Sequence, residues 1–206
     1  MSAITIWEFL EQNCPSVFTP IFNWVNKKNM GWVIHKTDKE IDSVDGLKKL
    51  NIGCGNHILE GWVNADLYYE DDRVVKYDIL NMPEEWTDYF DEVLCQHVLE
   101  HFGRMEAQKA LLNLWRVTKT GGKCVIVVPD LDYCCEIFFS SKDHTVLKEW
   151  GFRMLFGSQD YEGDMHKTGF TLEHIKKLVN GIGFGIDYQT YCWSADQKSI
   201  LIQCRK

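Results

Sequence analysis

The sequence predicts an α/β domain over residues 47–206, preceded by a helical appendage over residues 1–46. Three observations carry this. Short apolar runs bounded by turn residues, at Leu50–Gly53, Val63–Asp66, Val74–Asp78, Asp91–Gln96 and Cys124–Val128, read as strands. The stretch Arg104–Lys119 puts Ala107, Ala110, Leu111, Leu114 and Val117 on one helical face, and Gly121-Gly122 follows as a stop. Between the first two runs lies Gly53-Cys54-Gly55. Glycine permits positive φ and lets another molecule lie against the main chain. Such a turn serves structure as well as binding. At the carboxyl end of a strand in an α/β sheet, it lies where nucleotide-like ligands dock.

The remaining elements follow the same rules. Thr145–Phe156 reads as a helix, as does a segment running from Thr171 as N-cap through Ile175 and Leu178 to Gly181. Phe184–Cys192 and Ser199–Cys204 read as two strands joined by a polar turn. Ahead of the domain, Thr5 and Glu8 fit a capping box. Pro15 breaks that helix, and Thr19-Pro20 opens a second with the apolar stripe Ile21, Phe22, Trp24 and Val25. An edge strand is expected at Trp32–Ile34, and the appendage as a whole is expected to be a packing element, a lid or a dimer contact. No repeat or low-complexity tract divides the chain.

Length and composition narrow the function. At 206 residues, 45% hydrophobic and 25% charged, the chain suits one globular domain. A net charge of −8 disfavours general nucleic-acid or anionic-membrane binding, both of which require neutralisation of phosphate. The paired lysines 27–28, 48–49 and 176–177 are isolated. None of the eight cysteines forms a C-x₂-C pair, so buried free thiols in a reducing compartment are expected. No basic leader precedes Lys27, and no run approaches the ~18 apolar residues of a spanning helix. A cytoplasmic protein, monomer or homodimer, with no membrane partner is the expectation.

Residues 47–130 resemble the class I S-adenosylmethionine-dependent methyltransferases in a set of motifs in order. Leu50-Asn51-Ile52-Gly53-Cys54-Gly55-Asn56 resembles that family's first, glycine-rich motif. Asp66 closes the run Val63-Asn64-Ala65-Asp66-Leu67, where the family keeps an acid on the ribose hydroxyls. Tyr77-Asp78-Ile79-Leu80 fits the segment beside the adenine. Phe90-Asp91-Glu92-Val93-Leu94 resembles the fourth strand, and Arg116–Lys123 the turn into the fifth, with Thr120 in place of a usual proline. His166, Gly169-Phe170-Thr171 and Gly183-Phe184 resemble the helix before the last two strands. The resemblance implies a Rossmann-like sheet, mostly parallel with an antiparallel C-terminal strand. It implies S-adenosylmethionine as cofactor, bound by Asn51, Gly53, Cys54, Gly55, Asp66, Leu67, Asp78, Ile79 and His97. Asp66 and Asp78 equally suit ordinary strand-end turns. A nicotinamide dehydrogenase would want a third glycine and a full helix after the turn. Only seven residues separate Gly55 from Val63, so the first crossover helix is reduced to about one turn.

His97-Val98-Leu99-Glu100-His101 follows the fourth strand. As H-x-x-E-H it matches an inverted zinc-protease signature, a metallohydrolase reading set against the methyltransferase motifs on both sides. It also resembles the Glu-x-x-Glu-His of small-RNA 2′-O- and quinone-biosynthesis O-methyltransferases, which hold a divalent cation beside the methyl group. Glu100 and His101 match the last two positions, His97 stands where those families have Glu, and His166 is placed to be the downstream ligand. Residues 97, 100 and 101 are expected on one helix face. The resemblance thus offers a divalent metal on His97, Glu100, His101 and His166, nitrogen-rich enough to favour zinc, iron or nickel over magnesium. Without metal, Glu100–His101 is a structural pair and His101 or His166 is the catalytic base. The expected reaction is O-methylation, less readily N-methylation, of a small molecule or sugar. A non-catalytic S-adenosylmethionine-binding partner subunit is the alternative. The acceptor site is expected among residues 1–46 and 131–170, with Trp7, Phe22, Trp24, Tyr133, Trp150 and Tyr161 as candidate lining.

Overall fold

The structure is a computed structural model that describes residues 46–140, 145–194 and 197–206, all within one unit, Asp42–Lys206. The helices and edge strand expected in residues 1–45, with Trp7, Phe22 and Trp24, lie outside the described residues. Elements run in order β1 (Lys49–Ile52), β2 (Val63–Asp66), β3 (Val74–Lys76), β4 (Phe90–Gln96), α1 (Arg104–Val117), β5 (Thr118–Pro129), α2 (Leu131–Ser140), α3 (Thr145–Phe156), α4 (Leu172–Ile182), β6 (Gly185–Ser194) and β7 (Gln197–Arg205). Four single 3-10 turns punctuate them, at Ile79–Asn81, Glu84–Trp86, Leu99–His101 and Glu162–Asp164.

The seven strands form one sheet in the order β3-β2-β1-β4-β5-β7-β6. Leu50 pairs with Val63 on one side and Val93 on the other, both in parallel. Val93 pairs in parallel with Cys124, and Cys124 in turn pairs antiparallel with Cys204. β7 is antiparallel to both its neighbours. The strand order reverses between β1 and β4, which opens a crevice at their carboxyl ends. All four residues of β1 are buried, as a central strand covered on both faces demands.

Between β1 and β2 the ten residues 53–62 form turns and no helix. Buried asparagines hold this loop. Asn51 Nδ2 donates to His57 O at 2.8 Å and to Asn64 Oδ1 at 3.0 Å. Asn64 Oδ1 also accepts from Leu59 N–H at 2.9 Å, and its Nδ2 donates to Leu59 O and Trp62 O. Two side-chain amides thus satisfy the backbone groups that a crossover helix would have paired internally.

Helix α1 buries Ala107, Ala110, Leu111, Leu114 and Val117, the face expected from its spacing. Its end differs from expectation. The helix stops at Val117, and Thr118 turns extended at φ −68°, ψ 130° to pair with Phe90 while its hydroxyl donates to Leu114 O at 2.7 Å. Gly121-Gly122 instead lie inside β5. A Cβ on Gly122 would meet Lys119 O at 2.7 Å and Asp91 O at 3.0 Å, so glycine there serves close approach to the start of β4. At α4, Thr171 caps as expected by accepting from His174 N–H at 3.3 Å, while the stop is Gly183 at φ +112° rather than Gly181. Helix α2 was not expected. It buries only Cys134 and Ile137, and its aromatic and thiol residues carry little helix propensity.

All seven described cysteines are free, and six are buried. No helix among the described residues is long and apolar enough to cross a membrane. Leu111 is fully buried under the sheet. Leu111→Ala is expected to cost about 2–5 kcal/mol, read as a lower urea midpoint with an unchanged slope.

Candidate active site

Sequence places the two ends of the site at the two strands flanking the crevice. After β1, Gly53 adopts φ +68° and Gly55 φ +50°. A Cβ on Gly53 would run into the Val98 side chain, so this glycine is required for packing against the turn after β4. Gly55 has nothing within 4 Å of a built Cβ, which leaves its face open to a ligand. Gly53 N–H and Cys54 N–H donate to Ala65 O at 2.7 and 3.1 Å, and Gly55 N–H donates to Asp66 Oδ2 at 2.8 Å. Burial and the nearby Asp66 carboxylate push the Cys54 thiol up to about 11, which makes it a small packed residue and a poor nucleophile.

Asp66 is a hub. Its Oδ1 accepts from Tyr68 N–H and Tyr69 N–H at 2.8 and 2.9 Å, while Oδ2 holds Gly55. Oδ2 keeps capacity for a further donor. Leu67 beside it is exposed. Asp78 caps the turn Ile79–Asn81, its Oδ1 accepting from Leu80 N–H at 2.8 Å and its Oδ2 from Asn81 Nδ2 at 2.7 Å. Ile79 is buried behind it. Asn51 is also buried, with its amide committed to the loop bonds above.

The histidine cluster is built differently from the single helix face expected. His97 has φ +53° and precedes the turn Leu99–His101, so the i, i+3, i+4 geometry of a helix does not apply. Glu100 is almost fully buried and accepts from His97 Nδ1 at 3.1 Å, while its Oε2 has no hydrogen-bond partner. Burial acts to raise the Glu100 carboxyl, but the hydrogen bond from His97 and the electrostatic influence of the three neighbouring imidazoles outweigh it and hold it below the usual carboxylate range.

Ligand atoms of Glu100, His101 and His166 lie within 4.8 Å of one another and form a set able to hold a metal ion. His97 is not one of the three. His166 arrives from a distant segment that is tied to Glu100 itself, because Lys167 N–H and Thr168 N–H donate to Glu100 O at 2.8 and 3.2 Å. His166 Nδ1 lies 3.0 Å from Met154 O, and His101 Nδ1 lies 3.3 Å from Met165 O. A carbonyl only accepts, so each Nδ1 carries the proton and each Nε2 keeps its lone pair. Burial pushes the His166 imidazole below its usual range despite the Glu100 carboxylate nearby. Two nitrogen lone pairs and an unpartnered carboxylate oxygen together suit a divalent cation of the zinc or manganese kind.

The cluster forms one wall of a cavity of about 440 Å³. Trp150, Arg153 and Met154 of α3 form another. Trp150 was among the candidates for lining. Arg153 was not, although its i, i+3 spacing from Trp150 marks the same helix face. Tyr161 instead packs edge-on against Tyr68 at 5.7 Å, beside Asp66. Tyr133 packs against Trp193 at 5.6 Å. Asp66→Ala strands three backbone donors, so a loss of about 1–3 kcal/mol in stability is expected together with at least about tenfold weaker S-adenosylhomocysteine binding. Calorimetry and urea unfolding on the same variant check both.

Comparison with known proteins adds to this geometry. The methyltransferase-domain family model matches residues 60–126, from the loop before β2 into β5. No curated relative matches the sequence. Among similar solved structures, the Burkholderia thailandensis 1,6-didemethyltoxoflavin-N1-methyltransferase, with 1,6-didemethyltoxoflavin and S-adenosylhomocysteine bound, is 15% identical with a TM-score of 0.53, over 78% of this chain and 71% of that one. The magnesium protoporphyrin IX methyltransferase of Synechocystis, with S-adenosylhomocysteine bound, is 14% identical with a TM-score of 0.54, over 100% of this chain and 90% of that one. A methyltransferase dependent on S-adenosylmethionine from Archaeoglobus fulgidus is 17% identical with a TM-score of 0.52, over 90% and 99%. At such identities these structures establish the fold alone, and the family model matches residues 60–126 only. The chain thus carries a match to the methyltransferase-domain model over residues 60–126 and has the fold of the S-adenosylmethionine-dependent methyltransferases.

Proposed function

We propose that the chain transfers the methyl group of S-adenosylmethionine to a hydroxyl oxygen of a small molecule or sugar in the cavity beside Glu100. The observation that carries this reading is the Glu100–His101–His166 set at the carboxyl end of β4, next to the glycine turn. On this reading Asp66 takes the ribose hydroxyls and Asp78 with Ile79 borders the adenine. Gly53 to Gly55 carries the methionine portion, with the His97 backbone closing the turn. The methyl carbon is then directed from the crevice toward the cluster. Both glycines stand at positive φ and Gly55 is open on its outer face, which suits a ligand laid along the main chain.

Methyl transfer is a direct displacement at a sulfonium carbon, so the residues have to align the acceptor and dispose of its proton. Trp150 offers an apolar face to a ring, and Arg153 offers donors to polar substituents. A divalent cation held by Glu100, His101 and His166 would supply Lewis acidity that lowers the acceptor hydroxyl's pKa. His166, neutral through burial and fixed by Met154 O, has its Nε2 available as a proton acceptor, and this single feature favours a metal-free second reading with His166 as general base. The Burkholderia relative, an N1-methyltransferase by name, illustrates a small-molecule acceptor on this fold.

His166→Ala is expected to lower methyl transfer at least about 10²-fold while S-adenosylhomocysteine affinity stays within about twofold. The check is S-adenosylhomocysteine release with a panel of hydroxylated small molecules, run with and without chelator. Loss of activity with chelator and recovery on adding zinc or manganese supports the cation. An unchanged rate with chelator leaves His166 as base. Binding of S-adenosylhomocysteine with no turnover on any acceptor points to a non-catalytic partner subunit.

A further inference from the structure

Both ring nitrogens of His97 are engaged. Nδ1 lies 3.1 Å from Glu100 Oε1, and Nε2 lies 3.4 Å from Ser199 Oγ on β7. The ionised Glu100 carboxylate only accepts, so His97 Nδ1–H donates to it. In a neutral imidazole Nε2 then holds the lone pair, and the Ser199 hydroxyl, which has Gln197 O at 3.5 Å as its other acceptor, donates to it. The run Ser199–His97–Glu100 has the composition of a nucleophilic triad, but Ser199 is fully buried and out of reach of any substrate. Its function must lie elsewhere.

Three further features point the same way. His97 is held at φ +53°, a conformation that L residues rarely adopt and keep only where the surroundings fix it. Its own N–H donates to Val127 O at 2.9 Å, which anchors it to β5. Glu100 has one oxygen on His97 and the other without a hydrogen-bond partner, while being almost completely buried. A carboxylate so arranged has its rotation fixed on one side and its acceptor capacity left on the other.

We infer that His97 and Ser199 are positioning residues: Ser199 sets the tautomer of His97, and His97 fixes the Glu100 carboxylate so that its second oxygen serves the site it shares with His101 and His166. The inference deepens the cation reading above and rests on it in one arm of the test. It assigns His97 no ligand bond, because neither ring nitrogen has a lone pair left for a metal. Partners behind a ligand typically tune affinity by 10–100-fold, since they set ligand orientation and basicity.

The test uses the full chain saturated with S-adenosylhomocysteine. Long-range proton–nitrogen correlation on histidine-labelled protein is expected to report His97 as the Nδ1–H tautomer, and Ser199→Ala to lose that single state. Calorimetric titration with manganese alone is expected to give about tenfold weaker binding in Ser199→Ala and about 100-fold weaker binding in His97→Ala. His97→Asn tolerates positive φ and keeps an N–H near the Nδ1 position, so it is expected to recover most of that loss. Unchanged S-adenosylhomocysteine affinity in Ser199→Ala, and a cooperative urea transition in every variant, show that folding is intact. Another ring state of His97 in the unsubstituted protein, or manganese binding that Ser199→Ala leaves unchanged, overturns the inference. A locked Nδ1–H tautomer that Ser199→Ala releases, in a protein that binds no manganese, sustains the positioning of Glu100 and removes the cation reading instead.

Discussion

The buried pair Asn51–Asn64 is the contact on which the glycine turn and the loop behind it depend. Parallel strands need a connection that returns to the same end of the sheet, and a helix ordinarily supplies it while pairing its own backbone. Here ten residues do so without a helix. Their buried polar groups would be costly to leave unpaired, and the two amides answer that cost by bonding His57, Leu59 and Trp62. The consequence reaches the ligand side. With the loop fixed from behind, Gly53 and Cys54 hang from Ala65, and Gly55 from Asp66. The glycine turn and Asp66 thereby become one rigid piece.

The absence of a helix there also bears on which ligand fits. A helix N-terminus after the first strand stabilises a pyrophosphate. Turns alone offer few aligned dipoles, which suits a sulfonium cofactor with no phosphate. The acidic character of this crevice, with Asp66 on one side and Glu100 on the other, agrees with a cationic methyl donor.

The second half of the site is assembled from segments distant in the chain. The end of β4 leads into His97, one turn of 3-10 helix delivers Glu100 and His101, and the irregular segment between the turn Glu162–Asp164 and α4 delivers His166. The Glu100 carbonyl receives two amides from that last segment, so the same residue joins the pieces and presents the carboxylate. Each of His101 and His166 has its Nδ1 on a main-chain carbonyl, and His97 has both nitrogens engaged. Three similar side chains thus acquire different chemistry from their partners alone.

The sequence by itself determined the sheet and the glycine turn. The period of α1, the short β-like runs and the order of Gly53, Gly55, Asp66 and Asp78 are local signals, because periodicity and turn chemistry act within a few residues. It also marked Glu100, His101 and His166 as a group, through a resemblance whose spacing the chain largely keeps. Only the tertiary structure decided the rest. It moved Gly121-Gly122 from helix stop to strand contact, because Asp91 of β4 approaches there. It revealed α2, whose burial of Cys134 and Ile137 outweighs weak propensity. It separated His97 from the Glu100–His101–His166 set and paired it with Ser199, a residue 102 positions away. Hydrogen bonds between strands that meet only on folding leave no period in the sequence, and the chemistry of a histidine is set by such bonds.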